Sequence, residues 1–221
     1  MTKMWKFLRL KDDNITSRYG NHVWSVGERY YLPQSVVPST CSVGFHASPT
    51  PLDALNYVKG EVIALVSGKG QSDVQSDKTA FASMKLLDAR RWTVNDNIAL
   101  AVYSVELVLS IFEAAQPNDS RPREAIELAK KHLLGEDVSA YTAAVNAAAV
   151  NAANDAYDAA VYAAYAAAYA AVYVAYDATY AADDAAYTAA VNAAYAAVNA
   201  ANAAYQINQW ITQRFLTLES V

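Results

Sequence analysis

The side chains that could do chemistry lie early in the chain, where Arg18, Tyr19, His22, Cys41, His46 and Glu61 fall within about sixty residues. His46 follows an apolar run and precedes Ser48-Pro49-Thr50-Pro51, so it stands at a strand-to-helix turn, a position from which an imidazole can act as a general base. The same placement suits a histidine that is simply satisfied within the fold. Cys41 lies close by, but no Asp orients a base beside it, so a thiol nucleophile lacks its partner. Arg90-Arg91 could pair an anion or could close a domain. On these grounds no residue is assigned as catalytic, and the enzyme reading keeps only an N-terminal site around His46.

Standard chemical motifs are missing. The chain has no P-loop, GxGxxG, GxSxG, HExxH or EF-hand pattern, and Gly68-Lys69-Gly70 is too short to cradle a phosphate. With one cysteine and three widely spaced histidines (His22, His46, His132), neither a disulfide nor a metal site is expected, and no cofactor is implied.

A second set of candidates is a ladder rather than a cluster. Tyr162, Tyr165, Tyr169, Tyr173, Tyr176, Tyr180 and Tyr187 follow one another at helical spacing, and Asn192, Tyr195, Asn199 and Asn202 continue it. One reading is packing, with alanine faces letting helices approach and tyrosines filling the wider gaps. The other is a binding face. Tyrosine offers area with few rotors and asparagine offers both donors and acceptors, a mixture suited to a protein partner or to stacking a nucleobase.

These residues need elements to hold them. All seven glycines and all six prolines occur at or before Gly135, and about half of residues 139–205 are alanine, so the tail is expected to be helical. Tyr141–Ala148 recurs letter for letter at Tyr187–Ala194, placing an internal repeat at about 141–157 and 187–205. One continuous helix would be roughly 100 Å long, so three or four antiparallel helices are expected.

Upstream, strands are expected at Trp5–Leu10, Val23–Val26, Arg29–Leu32, Ser42–Ala47 and Glu61–Val66. The last of these is closed by Gly68 and Gly70. Helices are expected from Pro51 through Tyr57, from about Asp77 to Leu87, from Ile98 to Ala115 and from Pro122 to Gly135. The expected fold is a small α+β domain (1–94) followed by an all-α, alanine-rich antiparallel helical array (95–221), mostly α overall.

Charge narrows the partners. Residues 1–131 hold 16 Lys/Arg and 14 Asp/Glu, whereas residues 132–221 hold one Lys/Arg, Arg214, and eight Asp/Glu. A tail that acidic repels phosphate backbones, so no nucleic-acid partner is expected. The uncharged stretch Ala159–Tyr176 is weakly apolar and bracketed by aspartates, so no membrane span is expected. The first residues lack an apolar signal segment, and a cytoplasmic protein is expected, in the host cytoplasm if phage-encoded.

Two stretches resemble known families. Trp24–Gly27, Cys41–Pro49 (CSVGFHASP) and Pro51–Tyr57 (PLDALNY) resemble a phage and prophage domain of unknown function with a GFHA…PLDxLxY signature, covering about the first ninety residues. Glu106–Glu113, Asp119–Ala129 and Gly135-Glu136 resemble the alanine-rich helical immunity-protein family of polymorphic toxin systems, over roughly residues 98–210. That resemblance implies a fold that works by binding, although Asn, Tyr and Asp stand where the family has Arg and His.

Three functions follow as expectations. The first is a non-enzymatic binder of phage or mobile-element origin, of immunity or counter-defence type, that occludes a host or toxin protein. The second is a sponge for a small nucleotide immune signal. The third is a nucleotide-acting enzyme with its site in the N-terminal domain. An alanine/tyrosine surface also favours a homo-oligomer.

Overall fold

The computed structural model describes residues 3–58, 60–115, 117–136 and 203–221. The tyrosine and asparagine ladder from Tyr162 to Asn202 and both repeat copies up to Asn202 lie outside the described residues. The chain divides into two compact units, Met1–Trp92 with Trp210–Val221, and Thr93–Gln209.

The first unit is built on an antiparallel sheet. Its strands are β1 (Lys3–Lys11), β2 (Asn14–Thr16), β3 (Val23–Trp24), β4 (Arg29–Tyr31), β5 (Phe45–Ala47), β6 (Val62–Val74) and β7 (Thr79–Arg91). They run in the order β3-β2-β1-β6-β7-β4, and β5 also pairs with β7. The β1–β2 turn is the pair Asp12-Asp13, both at positive φ (48° and 59°), the geometry that matches strand twist in a two-residue hairpin. After β5, Ser48 exchanges backbone hydrogen bonds with Trp5 of β1 at 2.8 Å in each direction. A short segment can reach both β7 and β1 because the sheet curls.

Period-two alternation sorts the side chains. Met4 and Leu8 of β1, Val62, Ala64 and Val66 of β6, and Phe81, Met84, Leu86 and Ala89 of β7 form one core with Ile15, Trp24 and Ala47. On the other row of β1, Trp5 meets the Phe215 ring edge-on at 5.3 Å and Phe7 meets Trp92 at 5.6 Å. Helix α1 (Pro51–Tyr57) has the expected start: Thr50 caps it by accepting from the Asp53 N–H at 3.1 Å, and Pro51 opens it.

Within the second unit, α2 (Val94–Ala115) begins at a capping box. Thr93 N and Oγ1 each donate to Asp96 Oδ2 at 2.7 Å. Helix α3 (Arg121–Leu133) packs antiparallel to α2, with Arg123 paired to Glu113 and Lys130 to Glu106. Gly135, at φ 79°, ends it as expected. The last described helix is α4 (Ala203–Thr217).

Two expectations are corrected. Among the described residues the protein is not mostly α. Its N-terminal half is β-rich, and among the described residues strand and helix take comparable shares, with four helices present. The expectation leaned on the alanine content of the tail and underweighted the long hairpin. The helix expected at about Asp77–Leu87 is instead most of β7. Its Ala, Met, Lys and Leu content reads as helical locally, but eleven residue pairs bind it to β6, and partner pairing overrides local propensity. Nor does β6 stop at Gly68: it runs on to Val74, and the glycine leaves room for the Phe81 ring, which a Cβ there would meet at 2.5 Å.

Candidate functional site

On the first unit is a cleft of about 610 Å³, whose lining includes Trp5, Lys6, Arg18, Tyr19, Trp24, Cys41, Phe45, His46, Tyr57 and Lys78. β1 supplies its most unusual side chain. Lys6 lies between Met4 and Leu8 in the core-facing row and opposite Ala64 of β6, where every neighbour in the register is apolar. Its Nζ donates to the His46 carbonyl at 2.7 Å and sits 5.8 Å from the centre of the Trp24 ring. Among the described residues no carboxylate pairs with it. Loss of hydration therefore dominates, pulling the ammonium pKa down to about 8.

β5 brings His46 into the same lining. Its Nε2 is buried without a hydrogen-bond partner among the described residues. Desolvation and then the nearby Lys6 charge hold its pKa below the usual histidine range, against the opposing pull of hydrogen bonding to the Ser39 and Gly44 backbone. His22 lies behind the cleft, its ring within 4.7 Å of Trp24, 4.5 Å of Tyr30 and 5.5 Å of Phe45. Its Nε2 is likewise buried and unpartnered, and the same two causes lower its pKa.

The rim is held differently. Thr40 donates through N and Oγ1 to Asp73 Oδ2, each at 2.7 Å, which holds that carboxyl below its ordinary range and pins the adjacent Cys41 at φ 63°. Lys78 Nζ donates to the Cys41 Sγ at 2.9 Å and lies over the Tyr57 ring at 4.4 Å. The Tyr57 hydroxyl donates to Asp77, which raises its pKa.

Arg18, Tyr19, Cys41 and His46 are thus brought to one cleft, with His22 packed beside it. Glu61 is not: its Oε2 accepts from the Leu10 N–H at 3.1 Å, a strand-end contact. Arg90 pairs with Asp88 and donates to the Leu218 carbonyl at 3.2 Å, so it fastens the chain rather than facing a ligand. Sequence reasoning missed Lys6, Lys78 and the aromatic wall. The signal for Lys6 was available, because in Met4-Trp5-Lys6-Phe7-Leu8 the lysine shares its row with Met4 and Leu8, so a strand apolar on both faces carries one half-buried charge.

With that geometry in place, comparison with known families gives one match. A family model described as a domain of unknown function, DUF7666, matches residues 5–98. The match takes in β1 to β7, and so the whole lining of the cleft. It carries no activity with it. No curated protein and no solved structure matches the chain. Among the described residues no group of three His, Cys, Asp or Glu is placed to hold a metal, and no helix is long and apolar enough to cross a membrane.

Proposed function

We propose that the N-terminal unit is a receptor for a small anionic ligand with a planar ring, of the nucleotide class, and that the protein acts by sequestering it. The observation that carries this reading is the lining of the cleft: Lys6, Arg18 and Lys78 supply positive charge, Trp5, Trp24, Phe45 and Tyr57 supply rings, and no Asp or Glu takes part. Lys6 and Lys78, in a lining that contains no Asp or Glu, set a positive potential in a low-dielectric recess, which favours phosphate. Aromatic faces give a base a stacking surface that tolerates any base identity. The volume, about 610 Å³, suits a mononucleotide to dinucleotide ligand.

The test is a thermal-shift panel of mononucleotides, dinucleotides and cyclic dinucleotides on the full chain, with the parent nucleosides as controls. A ligand that binds only the folded state raises Tm progressively with its concentration. The expected result is a rise with phosphorylated members and none with nucleosides, reduced in Lys6→Met. A flat response across the panel contradicts the reading.

An enzymatic reading has one observation in its favour, that His46, whose buried Nε2 has no hydrogen-bond partner among the described residues, belongs to the lining. Turnover of a bound nucleotide that disappears in His46→Gln, with binding retained, would select it. The remaining proposal, a phage or mobile-element binder of immunity or counter-defence type that occludes a host or toxin protein, places its contact on Tyr162–Asn202, outside the described residues. Its test is recovery of one stoichiometric partner from host lysate.

A further inference from the structure

We propose that Lys6 is a covalent capture residue whose ε-amine condenses with the carbonyl carbon of an aldehyde or ketone ligand held in the cleft, forming an imine. The inference rests on the cleft being a small-ligand site and adds a carbonyl to the class of ligand it takes.

The geometry is that of a lysine positioned without being neutralised. A lysine kept for structure is ordinarily fixed by a carboxylate, which stabilises the ammonium and suppresses its nucleophilicity. Here the acceptor that orients Nζ is the neutral His46 carbonyl at 2.7 Å, and no acid lines the cleft. One hydrogen bond uses one of three donors and aims the side chain while the rest of the amine stays available. The apolar row of Met4, Leu8 and Ala64 removes hydration from the charge. With a pKa of about 8, half of Lys6 is free amine at that pH, against about a few tenths of a percent for a lysine at 10.5.

The step balances without a cofactor. The amine lone pair attacks the carbonyl carbon, a C–N bond forms, and the carbonyl π pair moves to oxygen, which takes a proton to give a carbinolamine. Loss of the hydroxyl as water, with departure of the nitrogen's remaining proton, gives the C=N bond. One water is released and nothing is oxidised or reduced. The proton that passes from nitrogen to oxygen can be carried by water in the open cleft, so no further side chain is required.

The experiment uses the full chain with pyridoxal 5′-phosphate, an anionic aromatic aldehyde, as the probe, and unphosphorylated pyridoxal beside it. Adducts are fixed with borohydride and located by peptide mass mapping over a pH series. The prediction is one dominant adduct on Lys6, formed at least about tenfold faster than on the exposed Lys69, with a rate that rises to a plateau around pH 8. Lys6→Arg should abolish that adduct and leave the slow labelling of Lys69 as it was. Labelling of Lys6 no faster than Lys69, or a rate still climbing above pH 10, would overturn the proposal. A nucleotide titration on the same preparation separates the two readings. Nucleotide binding without a Lys6 adduct overturns the imine alone, whereas a Lys6 adduct without nucleotide binding sustains it and overturns the nucleotide assignment.

Discussion

Lys6 holds its charge at an electrostatic cost, because Met4, Leu8 and Ala64 remove its hydration and no carboxylate among the described residues pairs with it. Its folded pKa, about 8, lies below the unfolded 10.5, so between those values the unfolded chain holds more protons and stability rises with pH. Below pH 8 both states are charged and the full penalty applies. Lys6→Met should therefore gain about 1–3 kcal/mol near pH 7 by urea unfolding. That gain should shrink as pH rises from 8 to 10.5. The histidines work in the opposite part of the scale. His22 and His46 are held below the ordinary 6.5, so stability is intact above that value and falls as acid protonates the unfolded chain first. Urea midpoints measured from about pH 7 to about pH 5 should drop less in His46→Gln than in the parent chain. At this scale the sequence was partly legible. His46 and Cys41 announce themselves by residue type, whereas Lys6 hides in a strand whose facing rows must be counted before the oddity shows.

Elements set where those residues can stand, and the β6–β7 hairpin is the one that local sequence least discloses. Its thirteen-residue strands pass through Gly68 and Gly70, which resemble a strand end until the Phe81 ring is seen over Gly68. Gly68→Ala puts a methyl 2.5 Å from that ring, and overpacking of this kind should cost about 1–3 kcal/mol in urea unfolding. The β1–β2 turn at Asp12-Asp13 and the Thr50-Pro51 helix start were readable because their chemistry is local. β7 was not, since most of its register depends on partners more than ten residues away. The C-terminal residues are a further case. Arg91 N donates to the Glu219 carbonyl at 2.9 Å, Val221 N to the Ala89 carbonyl at 3.2 Å, and Arg90 Nη1 to the Leu218 carbonyl at 3.2 Å. Nothing in Leu218–Val221 by itself signals that pairing. Removing those four residues should lower stability by about 1–3 kcal/mol, at roughly 1 kcal/mol for each hydrogen bond lost, and should speed amide exchange at Arg91.

Across the whole molecule, charge is unevenly divided. The first 131 residues are slightly basic and the remainder strongly acidic, and the cations that line a cleft, Lys6, Arg18 and Lys78, all belong to the β-rich unit. This division of charge is why the proposed anionic ligand is placed at the N-terminal cleft and not on the tyrosine ladder. The central claim is that this cleft holds a phosphate-bearing planar ligand through Lys6. Calorimetric titration of the full chain with ADP and with adenosine, at low and high salt, tests it most directly. The account predicts one ADP site per chain, weakened by salt and by Lys6→Met, with adenosine bound at least about tenfold more weakly for want of its phosphate–cation contacts. Equal affinity for ADP and adenosine, or ADP binding untouched by Lys6→Met, would contradict it.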